Sequence, residues 1–139
     1  MNRTIDMRSM RYINLFARIC KVSTTNCFNY NNNLIFAVPR PLMTKAIGRE
    51  GNNIKQIAEV LRKKIKVIAM PNDISGLRKF VEDIVDPVKF SGFELKDKTV
   101  TISAGMESKA VLIGRNRMRE KELQDILSKT FDVEKLRIS

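Results

Sequence analysis

Residues 47 to 54 read Ile47-Gly48-Arg49-Glu50-Gly51-Asn52-Asn53-Ile54, and the fold follows from what stands on either side of them. Two glycines three apart let a backbone turn sharply between two helices and leave no side chain between the main chain and whatever lies against it. The first N–H groups of the following helix are then expected to point outward unpaired, where together with the helix dipole they favour a phosphate. Ile47, Ile54 and Ile57 are expected to form an apolar floor beside that cradle. Before the loop, Leu34 to Val38 (LIFAV) is a short, β-rich apolar run. After it, Ile54, Ile57, Ala58 and Leu61 recur at helical spacing, and Ile65 to Met70 (IKVIAM) reads as a strand that Pro71 closes.

The order strand, helix, glycine loop, helix, strand resembles the minimal core of a KH module, which clamps a short single-stranded nucleic acid by its backbone. An isolated helix-turn-helix would not need the two strands. G-x-x-G alone is a weak signal, since it also occurs in ordinary helix-helix turns; the flanking elements give it meaning.

The chain has 139 residues, enough for one ordinary domain or two very small ones, and its 43% apolar residues are enough to build a core. Lys and Arg number 26 against 15 acidic residues, a net charge of +11, which points to a polyanionic partner. Histidine is absent, and with it the commonest general base and metal ligand. No nucleophile-base pair, metal cluster or nucleotide loop is visible, so neither catalysis nor a cofactor nor a metal is expected. Cys20 and Cys27 fall short of a four-ligand zinc set and sit among apolar residues, as buried thiols in a reducing cytoplasm would. The apolar stretch Tyr12 to Cys20 is interrupted by Asn14 and Arg18, and no run approaches spanning length, so neither signal peptide nor membrane anchor is expected.

Residues 1 to 4 read as a loose end. From Asp6, a helix carries Met10, Ile13, Phe16, Ala17 and Cys20 on one face and leaves Arg8, Arg11 and Arg18 to solvent. Cys27 to Tyr30 and LIFAV make a hairpin about Asn31-Asn32-Asn33, and Pro39 and Pro41 lead into a short helix, Leu42 to Ile47. The pattern restarts after Asn72-Asp73. Ile74, Leu77, Phe80, Val81 and Ile84 repeat Met10, Ile13, Phe16, Ala17 and Cys20 at an offset of 64. Asp86-Pro87 stops that helix, and Lys89 to Leu95 with Thr99 to Ala104 form a hairpin around Lys96-Asp97-Lys98. Val100, Ile102 and Ala104 repeat Leu34, Phe36 and Val38 at an offset of 66, as Ile113-Gly114-Arg115 repeats Ile47-Gly48-Arg49. A closing helix, Met118 to Thr130, places Leu123 and Leu127 where the first copy has Ile57 and Leu61, and Val133 to Ile138 is the last strand. This is an internal duplication. The expected class is α+β: two tandem type II KH domains, residues 1 to 71 and 72 to 139, each a three-stranded sheet with helices on one face. The extra helix and strand precede each core, which is what distinguishes type II.

Two such modules with almost nothing else resemble the short archaeal relatives of the transcription factor NusA, on the strength of IGREGNNIKQI, LIGRNR and the roughly 65-residue repeat. The resemblance implies a cytoplasmic factor that binds single-stranded RNA, associates with RNA polymerase and acts in termination, antitermination or pausing. A monomer is expected. Residues 1 to 71 carry 13 basic and 3 acidic side chains against 13 and 12 in residues 72 to 139, so the charge excess sits in the first copy. There Gly48 and Gly51 are expected to admit the RNA backbone, and Arg49, Lys55 and Lys45, with Arg62, Lys63, Lys64 and Lys66 at the end of the second helix, to meet phosphates. Asn52 and Asn53 belong to the same loop, Glu50 should face solvent, and Ile65, Val67 and Ile68 either border the groove or are plain core. Gly114, Arg115, Asn116 and Arg117 are the second loop. Arg117 stands where the second glycine belongs and Glu120 where the first copy has Ile54, which leaves two readings of the second module: a weakened RNA groove, or a rigid partner that extends or buttresses the first. Few aromatics are free to stack, so base preference should be modest. Two alternatives remain open: a structural protein of the ribosome, or duplex-DNA binding through Asn52, Asn53 and Gln56 at the start of the second helix.

Overall fold

The computed structural model of the chain describes residues 7 to 139, the side chain of Arg8 excepted. The expected loose end at residues 1 to 4, the helix start at Asp6 and the placing of Arg8 lie outside the described residues. The chain divides into two compact units, the first ending at Asp73 and the second running from Ile74 to Ser139.

In the first unit, α1 (Met7–Cys20) leads to β1 (Asn26–Tyr30) and β2 (Asn33–Pro39). Asn31 and Asn32 both take positive φ, the two-residue turn whose twist suits a hairpin. Pro39 and Pro41 then set a 3-10 turn, Arg40–Leu42, ahead of the short helix α2 (Met43–Ile47). Past the glycine loop, α3 (Asn52–Leu61) returns to β3 (Lys64–Met70). The sheet order is β1-β2-β3, with β1 antiparallel and β3 parallel to β2. A parallel neighbour requires a crossover, and the two helices with their loop supply it.

The core lies between the helices and one face of β2, where Leu34, Phe36 and Val38 meet Leu15, Phe16, Cys20, Ala46 and Ile57. Phe16 stacks on Phe36 with ring centroids 4.3 Å apart. That stacking rolls α1 away from the expected face: Leu15 joins the core, Tyr12 and Ile19 pack against it, and Met10 is exposed.

The second unit repeats the order. A 3-10 turn, Ile74–Gly76, precedes α4 (Leu77–Val85), so Ile74 stays exposed. The strands β4 (Gly92–Lys96) and β5 (Thr99–Ser103) are joined through Asp97 and Lys98, again both at positive φ. Then come α5 (Met106–Ile113), α6 (Met118–Phe131) and β6 (Lys135–Ile138), giving the order β4-β5-β6 with β6 parallel to β5. Val100, Ile102, Leu112, Leu123 and Leu127 are fully buried at the positions of Leu34, Phe36, Ala46, Ile57 and Leu61. Both hairpin limits expected from the sequence were too wide: residues 89 to 91 precede β4, and Ala104 lies beyond β5. The architecture is α+β, two tandem KH-like units of the type II order.

Candidate nucleic-acid interface

Between α2 and α3 the backbone takes a sharp path. Gly48 has φ 82 and ψ 169, Glu50 φ 54 and ψ 27, and Gly51 φ 75 and ψ 17. The first of these belongs to a region essentially reserved for glycine, whereas the other two are left-handed α. The Gly51 N–H donates to the Gly48 carbonyl over 3.1 Å, and the Asn52 N–H to the Arg49 carbonyl. Those two groups, expected to face a phosphate, are therefore spent in closing the turn. No side chain caps the start of α3, so the dipole end of that helix carries no protein carboxylate or hydroxyl.

The two glycines differ in what surrounds them. A Cβ on Gly48 would lie 2.8 Å from Asn53 Cγ and 2.9 Å from its Nδ2. Asn53 folds back beneath the turn and donates from Nδ2 to the Lys45 carbonyl over 3.1 Å, closing the end of α2. A Cβ on Gly51 would meet nothing within 4 Å. Gly48 is thus filled from inside the protein, while Gly51 presents bare backbone to the outside.

Cations stand on either side of the loop in sequence and at the far end of α3. Lys45, Arg49, Lys55, Arg62 and Lys64 are exposed and carry no ion pair among the described residues. Lys63 lies over the Tyr12 ring, 5.8 Å from its centroid, and Lys66 on β3 is half-buried. Arg62 ends α3 in the left-handed region, its N–H donating to the Ala58 carbonyl. Glu50 and Asn52 are exposed, and Ile47 and Ile54 are half-buried beside the loop. Ile57, expected to line the groove, is instead fully enclosed in the core, because the second turn of α3 packs it into the cluster with Leu34, Phe36 and Val38 of β2. Ile65 and Val67 pack against the same core, and Ile68 is buried. Asn53, needed exposed for reading duplex DNA, is occupied by Lys45.

The second loop follows the same path. Gly114 (φ 74, ψ 172), Asn116 (φ 55, ψ 29) and Arg117 (φ 59, ψ 24) reproduce Gly48, Glu50 and Gly51, with the Arg117 N–H donating to the Gly114 carbonyl over 3.1 Å. Arg115 and Asn116 are exposed. Arg117 Nη1 donates to Glu120 Oε1 at 2.9 Å, and Arg119, whose Cγ would stand 2.6 Å from a Cβ on Gly114, pairs with Glu122 at 3.0 Å.

Of the cysteines, Cys20 is buried and Cys27 only half-buried, so the expectation of two buried thiols holds for one. Burial pushes the Cys20 thiol up to about 11. Among the described residues, no three His, Cys, Asp or Glu side chains gather as a metal would require, and no helix is long and apolar enough to cross a membrane.

No family model matches the chain. It is 21% identical over 142 residues to the "Probable transcription termination protein NusA" of Halococcus morrhuae, an alignment that spans the whole of both chains. The chain is similar to NusA from end to end. Among solved structures it resembles that of APE1850, with 32% identity, a TM-score of 0.67, and coverage of 97% of this chain and 100% of that one.

Proposed function

We propose that this chain is a single-stranded RNA-binding transcription factor of the NusA kind, and that RNA is held at the first glycine loop. One observation carries the proposal: Gly51 presents bare backbone to open space on a loop whose neighbours in sequence, Lys45, Arg49 and Lys55, are exposed cations with no ion pair among the described residues. Phosphate is the ligand such a surface suits. Arg49, Lys45 and Lys55 flank the loop, Arg62, Lys63 and Lys64 extend the positive surface from the far end of α3, and Ile47 and Ile54 offer an aliphatic rest for bases. Binding is electrostatic first and weakly sequence-selective, because the side chains beside the loop are cationic or aliphatic.

On this reading the protein works with RNA polymerase in the cytoplasm, in termination, antitermination or pausing, as a binding factor rather than an enzyme; the likeness to a NusA protein over the whole chain supports it. Titration of the chain with single-stranded RNA and duplex DNA of equal length at equal salt tests the ligand; tighter binding to the duplex would overturn it. Copurification from cells tests the partner, with polymerase expected and cosedimentation with ribosomes alone the contrary result.

A further inference from the structure

The second loop has the backbone of the first and keeps exposed Arg115 and Lys121 where the first has Arg49 and Lys55, but the side chains around them differ. At an offset of 66, Thr44, Lys45, Asn52 and Ile54 become Ala110, Val111, Met118 and Glu120, and the open position of Gly51 becomes Arg117. Val111 and Met118 are exposed, so a cation and an amide beside the loop have been replaced by apolar side chains. Arg117 does not stand free. Its guanidinium donates to Glu120, whose side chain is only 16% exposed and occupies the place where Ile54 borders the first groove. A carboxylate thus already holds the one guanidinium at the open position of the loop, and carries the charge a phosphate would bring. An entering phosphate would have to displace Glu120 from Arg117 and then lie beside a largely buried carboxylate, which opposes it.

We infer that the Arg117–Glu120 pair is a specificity device that closes the second loop to RNA and confines binding to the first. The inference rests on the first loop being the RNA site. It also requires that the pair be portable, because both loops share one backbone path: Arg117 already occupies the left-handed position that Gly51 holds.

The test moves the pair between the loops of the full-length protein, using a six-nucleotide single-stranded RNA, thermal unfolding as the check on folding, and Gly51→Asp as reference. Gly51→Arg with Ile54→Glu in the first loop is expected to lower affinity at least tenfold while the protein stays folded. Conversely, in a Gly51→Asp background, Val111→Lys with Arg117→Gly and Glu120→Ile is expected to recover at least tenfold in affinity at the second loop. If Gly51→Asp abolishes binding but the transplanted pair leaves it intact, the device is refuted. A folded triple variant that recovers nothing refutes it equally. If Gly51→Asp itself binds as the parent does, the failure belongs instead to the assignment of the first loop.

Discussion

Gly48 and Gly51 are the same residue in the same motif, yet the structure asks different things of them. Gly48 is locked by its backbone conformation and by Asn53 beneath it, so Gly48→Ala should cost about 3 kcal/mol of stability. Gly51→Ala, with open space at its Cβ, should cost only about 1 kcal/mol, the ordinary penalty of the left-handed region. Urea unfolding of the two variants checks the difference, and equal losses would contradict it. Cys20 gives a second expectation at this scale. Its thiol ionises near 9.0 when unfolded and near 11 when folded, so the unfolded state loses its proton first as pH rises. The contribution is whole below pH 9.0 and is lost between there and about 11, and Cys20→Ser should remove that part of the alkaline decline in stability. The sequence marked both glycines and both cysteines as special. It could not divide their roles, because the side chain under Gly48 and the core around Cys20 are tertiary facts that no local pattern carries.

At the scale of elements, the duplication made the order of helices and strands legible, since apolar side chains recur in both halves at nearly one offset. The sharp turn at Gly48 and Gly114 also follows from glycine, whereas the left-handed position of Gly51 is held equally well by Arg117 in the second loop. The roll of α1 was not legible. Residues 12 to 20 carry apolar side chains at Tyr12, Ile13, Leu15, Phe16, Ala17, Ile19 and Cys20, and the stacking of Phe16 on Phe36 decides which of them turn inward. The end of α3 supplies a prediction with opposite signs in two measurements. Arg62 holds the left-handed closing position of that helix at φ 55, where glycine is the easier residue. Arg62→Gly should stabilise the protein by about 0.5–1 kcal/mol in urea unfolding. The same change should weaken RNA binding and reduce the dependence of log affinity on log salt by about 0.7, the loss of one phosphate contact on a single strand. A stabilised variant with an unchanged salt slope would remove Arg62 from the interface and leave it only a helix terminus.

Across the whole chain, charge divides the two copies more sharply than fold does. The first 71 residues carry a net +10 and the remainder a net +1, although both build the same sheet and the same loop. In the second unit cations are matched within α4 and α6 by Glu82, Asp83, Glu120, Glu122 and Asp125, whereas five cations of the first interface stand without such partners. If about four phosphates are neutralised there, log affinity for single-stranded RNA should fall against log salt with a slope of roughly −3, and a slope near zero would remove the electrostatic basis of the interface. The central claim, that RNA lies against the bare backbone at Gly51, has a direct measurement in the affinity of full-length Gly51→Asp for single-stranded RNA. The substitution sets a carboxylate into open space among the cations and leaves the core untouched, so the protein should stay folded and lose binding. A folded Gly51→Asp protein that binds RNA as tightly as its parent would contradict the claim and reduce the loop to a turn between helices.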